Sequence, residues 1–319
     1  MRSLQRHLPC ADRHKWLHKM AQEDGFGGAA GRVEAEGNPS ARAALVVGVC
    51  AVSFSSIVSR LTAADPVAIA FYRQFLAAII LLPFAFGKRD ELLRLSKKEW
   101  ALLLASGFFL ALHFATWITS LFRTTITASL VLVHTDPIMV AFLAYVFLRE
   151  RPARRTMAGF VVALAGVALI TSKDGPGGAF MPGSGDLLAL AGALAVAVYI
   201  LLGRRLRRNL SVTTYAASVY LISAAFLFAG AGAYGSQLTG YGWAQYLMFL
   251  ALALGPSVFG HTSFNYALKF LKASTVSVAT LGEPLLASML AILVFSEVPS
   301  TFTLVGAALV LSGLYYALR

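Results

Sequence analysis

Three ionisable residues fall inside long apolar runs: Arg73, Asp136 and Glu283. A charged group among apolar residues is costly to bury, so each is a functional candidate. Asp136 precedes Pro137, and Glu283 precedes Pro284. Proline donates no N–H and kinks a helix, which frees a carbonyl one turn back. A carboxylate beside opened backbone suits a cation, an amine or a proton. Arg73 offers Asp136 a counter-ion, and that pair alone could simply lock two helices together. Glu283 then keeps no intramembrane cation of its own. It is the stronger candidate for a group that takes up and releases a proton during function. Thr280 lies three residues before it on the same helical face.

Two polar stripes add to this set. His113, Trp117 and Ser120 recur at i, i+4 and i+7, with Thr116 beside them. Ser257, His261 and Asn265 recur at i, i+4 and i+8. Helical spacing puts each set on one face. Such a face has no reason to meet lipid. It lines a cavity or makes interhelical hydrogen bonds, and the two readings weigh equally. Trp117 could stack on a flat or cationic ligand, or sit in an aromatic belt at the membrane surface. His134, two residues before Asp136, points elsewhere on a continuous helix.

Catalytic chemistry finds less support. No GxSxG, HExxH or GxxxxGK[ST] pattern occurs, and no nucleophile–base pair is evident. Gly183–Asp186 reads as a turn leading into a helix cap. Cys10, His14 and His18 have metal-like spacing in the N-terminal tail, but nothing completes a site, so the tail reads as disordered and basic. The expectation is no catalytic residue, no metal and no cofactor. An intramembrane enzyme acting on a lipid or small molecule is kept as the alternative. A channel or receptor is a weaker one.

The elements that carry these residues are membrane spans. Of 319 residues, 58% are hydrophobic and 13% charged, and the mean hydropathy is +0.70. An ordinary globular chain carries about 25% charged residues. Two cysteines exclude a disulfide framework. Ten stretches approach the span length of about 20 residues. They are 43–61, 66–86, 100–121, 125–147, 156–172, 186–203, 212–233, 243–267, 273–295 and 302–318. Counted by loop, 23 Lys and Arg fall on one side and only Arg60, Arg123 and Lys173 on the other. Both termini are therefore expected in the cytoplasm. The net charge of +12 reports this topology and implies no nucleic-acid partner.

A shift of 147 residues superposes Leu121–Thr171 on the C-terminal part without a gap. Pro137 meets Pro284, Glu150 meets Glu297, Pro152 meets Pro299, Gly159 meets Gly306 and Gly166 meets Gly313. Asp136 meets Glu283, a carboxylate on a carboxylate. The chain reads as two halves of five spans, and an odd number of spans inverts the second half. Secondary transporters are commonly built this way, with the site between the halves. The expected organisation is a basic tail (1–41), a first repeat (42–172), an external loop (173–185) and a second repeat (186–319).

Ala128–Pro152 and Thr275–Pro299 each carry a mid-span proline, a glutamate about 13 residues later, and then a glycine-bearing last span. This pattern resembles the EamA-type branch of the drug/metabolite transporter superfamily. The resemblance covers roughly 42–318, in duplicate. It implies an all-α integral membrane protein of ten helices, a central cavity and alternating access. It further implies secondary transport of a small polar metabolite such as an amino acid or amine, with efflux the favoured direction, across a bacterial cytoplasmic membrane. The partners implied are that small molecule and the lipid bilayer, with a homodimer as one option. Glu150 and Glu297 match the family's helix-end glutamates and read as structural.

Overall fold

The computed structural model describes residues 39–148, 154–171, 183–207, 209–267, 270–271 and 279–318. The N-terminal tail up to residue 38, Glu150, most of the expected external loop and residues 273–278 of the expected ninth span lie outside them. Among the described residues every regular element is helical. Seven segments are long and apolar enough to cross a membrane: Pro39–Leu61, Pro66–Phe86, Lys97–Leu121, Ile126–Leu143, Ser184–Leu206, Val212–Tyr234 and Trp243–Ala267. Gly282–Phe295 and Thr301–Ala317 are shorter apolar helices. Large apolar side chains cover the outside, with Leu293 78% exposed and Phe84 66%. Such a surface suits lipid rather than water.

In chain order the helices are α1 (Pro39–Ser53), α2 (Ser55–Leu61), α3 (Pro66–Phe86), α4 (Asp90–Leu93), α5 (Lys97–Leu121), α6 (Ile126–Val133), α7 (Asp136–Leu148) and α8 (Arg154–Thr171). Then come α9 (Ser184–Leu206), α10 (Val212–Tyr234), α11 (Trp243–Leu252), a π-helical segment (Ala253–His261), α12 (Thr262–Ala267), α13 (Gly282–Phe295) and α14 (Thr301–Leu318).

Local chemistry sets the ends. Asp65 accepts from the Val67 and Ala68 N–H groups and caps α3, with Pro66 at the first turn. Ser96 and Glu99 form a reciprocal capping box on α5. Asp186 accepts from the Gly183 N–H and the Thr124 hydroxyl, so the expected turn and cap are present at α9. Gly235 ends α10 at a φ of 69°, a conformation that costs glycine little.

Two interruptions position the site. The α6 helix stops at Val133 and α7 starts at Asp136, so the proline-linked kink is a true break. The Thr135 hydroxyl donates to the Leu132 carbonyl at 2.7 Å and satisfies backbone there. Around Gly255-Pro256 the ladder widens into the π-helical segment, which contains Pro256. A missing N–H is one way such a re-registration arises.

Packing joins distant parts of the chain. The α9 helix lies on α5, α10 on α3, and α8 on α14. At the last crossing a methyl group on Gly159 would strike the Gly313 carbonyl, and one on Gly166 would strike the Gly306 carbonyl. Glu297 accepts from the Ile126 N–H at 2.7 Å and pairs with Arg60. It thus ties α2, α6 and the chain after α13 together, the structural role its motif suggests.

Candidate functional site

A cavity of about 120 Å³ opens among these elements. Its wall includes His113 and Trp117 from α5, Asp136 from the start of α7 and His261 from the π-helical segment. Asn265 comes from α12, Thr280 from the helical residues just before the turn at Leu281, and Glu283 from the first turn of α13. Seven of the eight candidate residues therefore meet around one space. Val133, Val196, Ile200 and Phe264 add apolar surface, and His134 and Tyr199 complete the polar part.

Arg73 is the exception. It is fully buried but absent from the wall. Its Nε donates to the Ser257 hydroxyl at 2.9 Å and its Nη1 to the Ser55 hydroxyl at 2.6 Å. The guanidinium lies 4.3 Å from the centre of the Phe114 ring. Phe114 in turn meets the His113 and His261 rings edge-on. The expected Arg73–Asp136 ion pair is not formed. Arg73 instead holds α2 and the π-helical segment against α3, because position 73 faces those elements.

The expectation of an unpaired Glu283 is corrected as well. Its Oε2 lies 3.3 Å from His134 Nε2. A continuous helix separates residues two apart by roughly 200°, which would turn His134 away from Asp136. The break after Val133 removes that constraint: His134 caps α6 outside helical geometry. Its Nδ1 lies 2.8 Å from the Leu130 carbonyl oxygen. A carbonyl only accepts, so the proton is assigned to Nδ1 and Nε2 faces Glu283.

On the other side of the wall, His113 Nδ1 lies 3.0 Å from the Gly192 carbonyl and its ring stacks on Trp117 at 5.8 Å. Trp117 is only 4% exposed, which places it in the wall and not in a lipid-facing belt. Asn265 Nδ2 donates to the Tyr199 hydroxyl at 3.1 Å. Tyr199 and His134 were not among the candidate residues. A lone tyrosine in an alanine- and leucine-rich helix carries no periodic signal. The stripes also contain purely structural members. Ser120 bonds to Ser129 at 2.6 Å, linking α5 and α6, and Thr116 bonds to the Leu112 carbonyl.

The arrangement is a partly polar cavity inside a helical membrane protein, walled by carboxyl, imidazole, amide and hydroxyl groups; transport is its natural class. The EamA-like transporter family model matches residues 40–172 and again residues 183–319. The chain belongs to the EamA-like transporter family. An uncharacterized transporter of Archaeoglobus fulgidus is 30% identical over 279 residues, covering 85% of this chain and 94% of that protein. The uncharacterized transporter YdfC of Bacillus subtilis is 24% identical, covering 85% of this chain and 88% of its own. One solved structure superposes with a TM-score of 0.64 at 18% identity, covering 87% of this chain and 96% of the other, and shares the fold. Family and relatives alike point to a membrane transporter rather than an enzyme.

Proposed function

We propose that the protein is a secondary active transporter that moves a small polar metabolite by alternating access, with export the favoured direction. One observation carries this reading. Asp136 and Glu283, equivalent under the 147-residue shift, each stand in the first turn of a helix and both line the same cavity. A site built from equivalent helix starts of two repeats suits alternating access.

The architecture in this reading is ten helices in two inverted repeats. The crossing of α8 and α14 supports it. Gly159 meets Gly313 while Gly166 meets Gly306. Since Gly159 corresponds to Gly306 and Gly166 to Gly313, the contact exchanges partners as a two-fold axis would. The basic-residue bias supports cytoplasmic termini, and the bacterial relatives support a cytoplasmic membrane. Substrate and bilayer are the partners, and particle mass in nanodiscs checks for a homodimer.

The test is flux in proteoliposomes with and without an imposed pH gradient. Saturable uptake of amino acids, amines or related solutes supports the reading. A cavity ligand that is bound and chemically changed, with no flux, would favour the intramembrane enzyme.

A further inference from the structure

The cavity wall holds two carboxylates, Asp136 and Glu283, and no lysine or arginine among the described residues. The two acids are not equivalent. The Leu130 carbonyl keeps a proton on His134 Nδ1. The 3.3 Å approach of His134 Nε2 to Glu283 Oε2 then calls for one proton between them. It sits on the ring, giving an imidazolium beside a carboxylate, or on the carboxyl, giving a neutral imidazole beside an acid. The pair is uncharged in both arrangements. Without that proton, two lone pairs would face each other in a wall of low dielectric.

Asp136 stands differently. Its side chain makes no ion pair with a described residue. The charged or titratable groups acting on it are His134, already committed to Glu283, and Glu283 itself. Arg73 is bound to Ser55 and Ser257 and covered by Phe114. The N-terminus of α7 supports a carboxylate at its first residue without neutralising it. The wall offers both kinds of group: His113 gives its Nδ1–H to Gly192, which leaves Nε2 for a further contact, and the Trp117 indole N–H has no partner among the described residues.

We infer that Asp136 is the docking point for a ligand's ammonium group, and that the substrate is a small primary or secondary amine. Glu283 and His134 form a closed one-proton pair instead of a second cation site. This rests on the transport reading and narrows it. An ammonium supplies a positive charge and N–H donors to the Asp136 carboxylate, on a wall without lysine or arginine among the described residues. A quaternary ammonium supplies the charge alone, and a carboxylate meets a like charge.

Calorimetric titration of the full chain in lipid nanodiscs tests this with four probes of similar size: L-alaninamide, lactamide, L-lactate and tetramethylammonium. Alaninamide should bind, and the other three should bind at least about tenfold more weakly, the scale of a lost charge-assisted hydrogen bond. Asp136→Asn should weaken alaninamide by a similar factor, and Asp136→Glu should restore most of it. Should Asp136→Asn fail to fold, the four-probe comparison on the unmodified protein decides by itself. Equal binding of lactamide or lactate overturns the inference, as does no binding of alaninamide. So does loss of alaninamide in Glu283→Gln with retention in Asp136→Asn. Proteoliposome flux separates the two levels. Flux of a non-amine solute only would remove this inference and leave transport standing. Amine binding without flux would do the reverse.

Discussion

His134 Nε2 and Glu283 Oε2 approach to 3.3 Å inside the cavity wall. Movement of α6 and α13 relative to each other would separate the two groups. Glu283→Gln keeps the size of the side chain and a hydrogen bond to the imidazole. It should leave the fold intact, abolish pH-driven flux and flatten the pH profile of substrate binding. If Glu283→Gln transports with unmodified pH dependence while Asp136→Asn does not, coupling resides in the first half.

A titrating contact lies outside the membrane. Partial burial pushes the Glu91 carboxyl up, but the Ser211 N–H and hydroxyl, Thr214 and Lys88 together pull it below its usual value. A carboxyl lowered in the folded state contributes stability above its unfolded value of 4.5, and that contribution fades as pH falls through the folded value. Thermal melts in detergent should lose stability below about pH 4.5. Glu91→Gln should lose less over that window, by a small margin because the group is largely solvated. Identical pH slopes for both proteins would show that the contact contributes nothing.

At the level of elements, close crossings and tied ends set the geometry. Gly159→Ala or Gly313→Ala drives a methyl into backbone of the facing helix. Backbone moves little, so each should cost about 1–3 kcal/mol. Gly232 has open space around its missing side chain. Gly232→Ala is therefore the control and should be neutral or slightly stabilising. Thermal unfolding of the three variants in one detergent compares them, and equal midpoints would mean that α8 and α14 slide apart freely. Glu297 serves two partners, the Arg60 guanidinium and the Ile126 N–H. Glu297→Ala should therefore destabilise more than Arg60→Ala, by about 1–3 kcal/mol for the groups it strands. The same melts check the ordering.

For the molecule as a whole, the distribution of basic residues predicts orientation. A reporter active only outside the cytoplasm, fused after Arg319, should stay silent in cells. Activity there would mean an odd number of spans or an inverted chain. The α8–α14 crossing and the shared cavity are properties of the folded whole. Each draws on both halves, so neither half alone is expected to bind substrate.

Composition and apolar run length by themselves established a helical membrane protein, because lipid forces backbone hydrogen bonds to close within each segment. The proline at 137 announced where a helix would break, since a missing N–H has only local consequences. Helical spacing also picked out His113, Trp117, His261 and Asn265, as a periodic stripe needs no partner to be visible. Which groups would pair was decided only in three dimensions. The break after Val133 turned His134 toward Glu283, against the rotation that a continuous helix imposes. Arg73 is long enough to reach in several directions, and the packing of α2 and the π-helical segment around α3 selected the serines over Asp136. Charge pairing depends on distances of a few ångströms between elements remote in the chain, and linear spacing carries no measure of those.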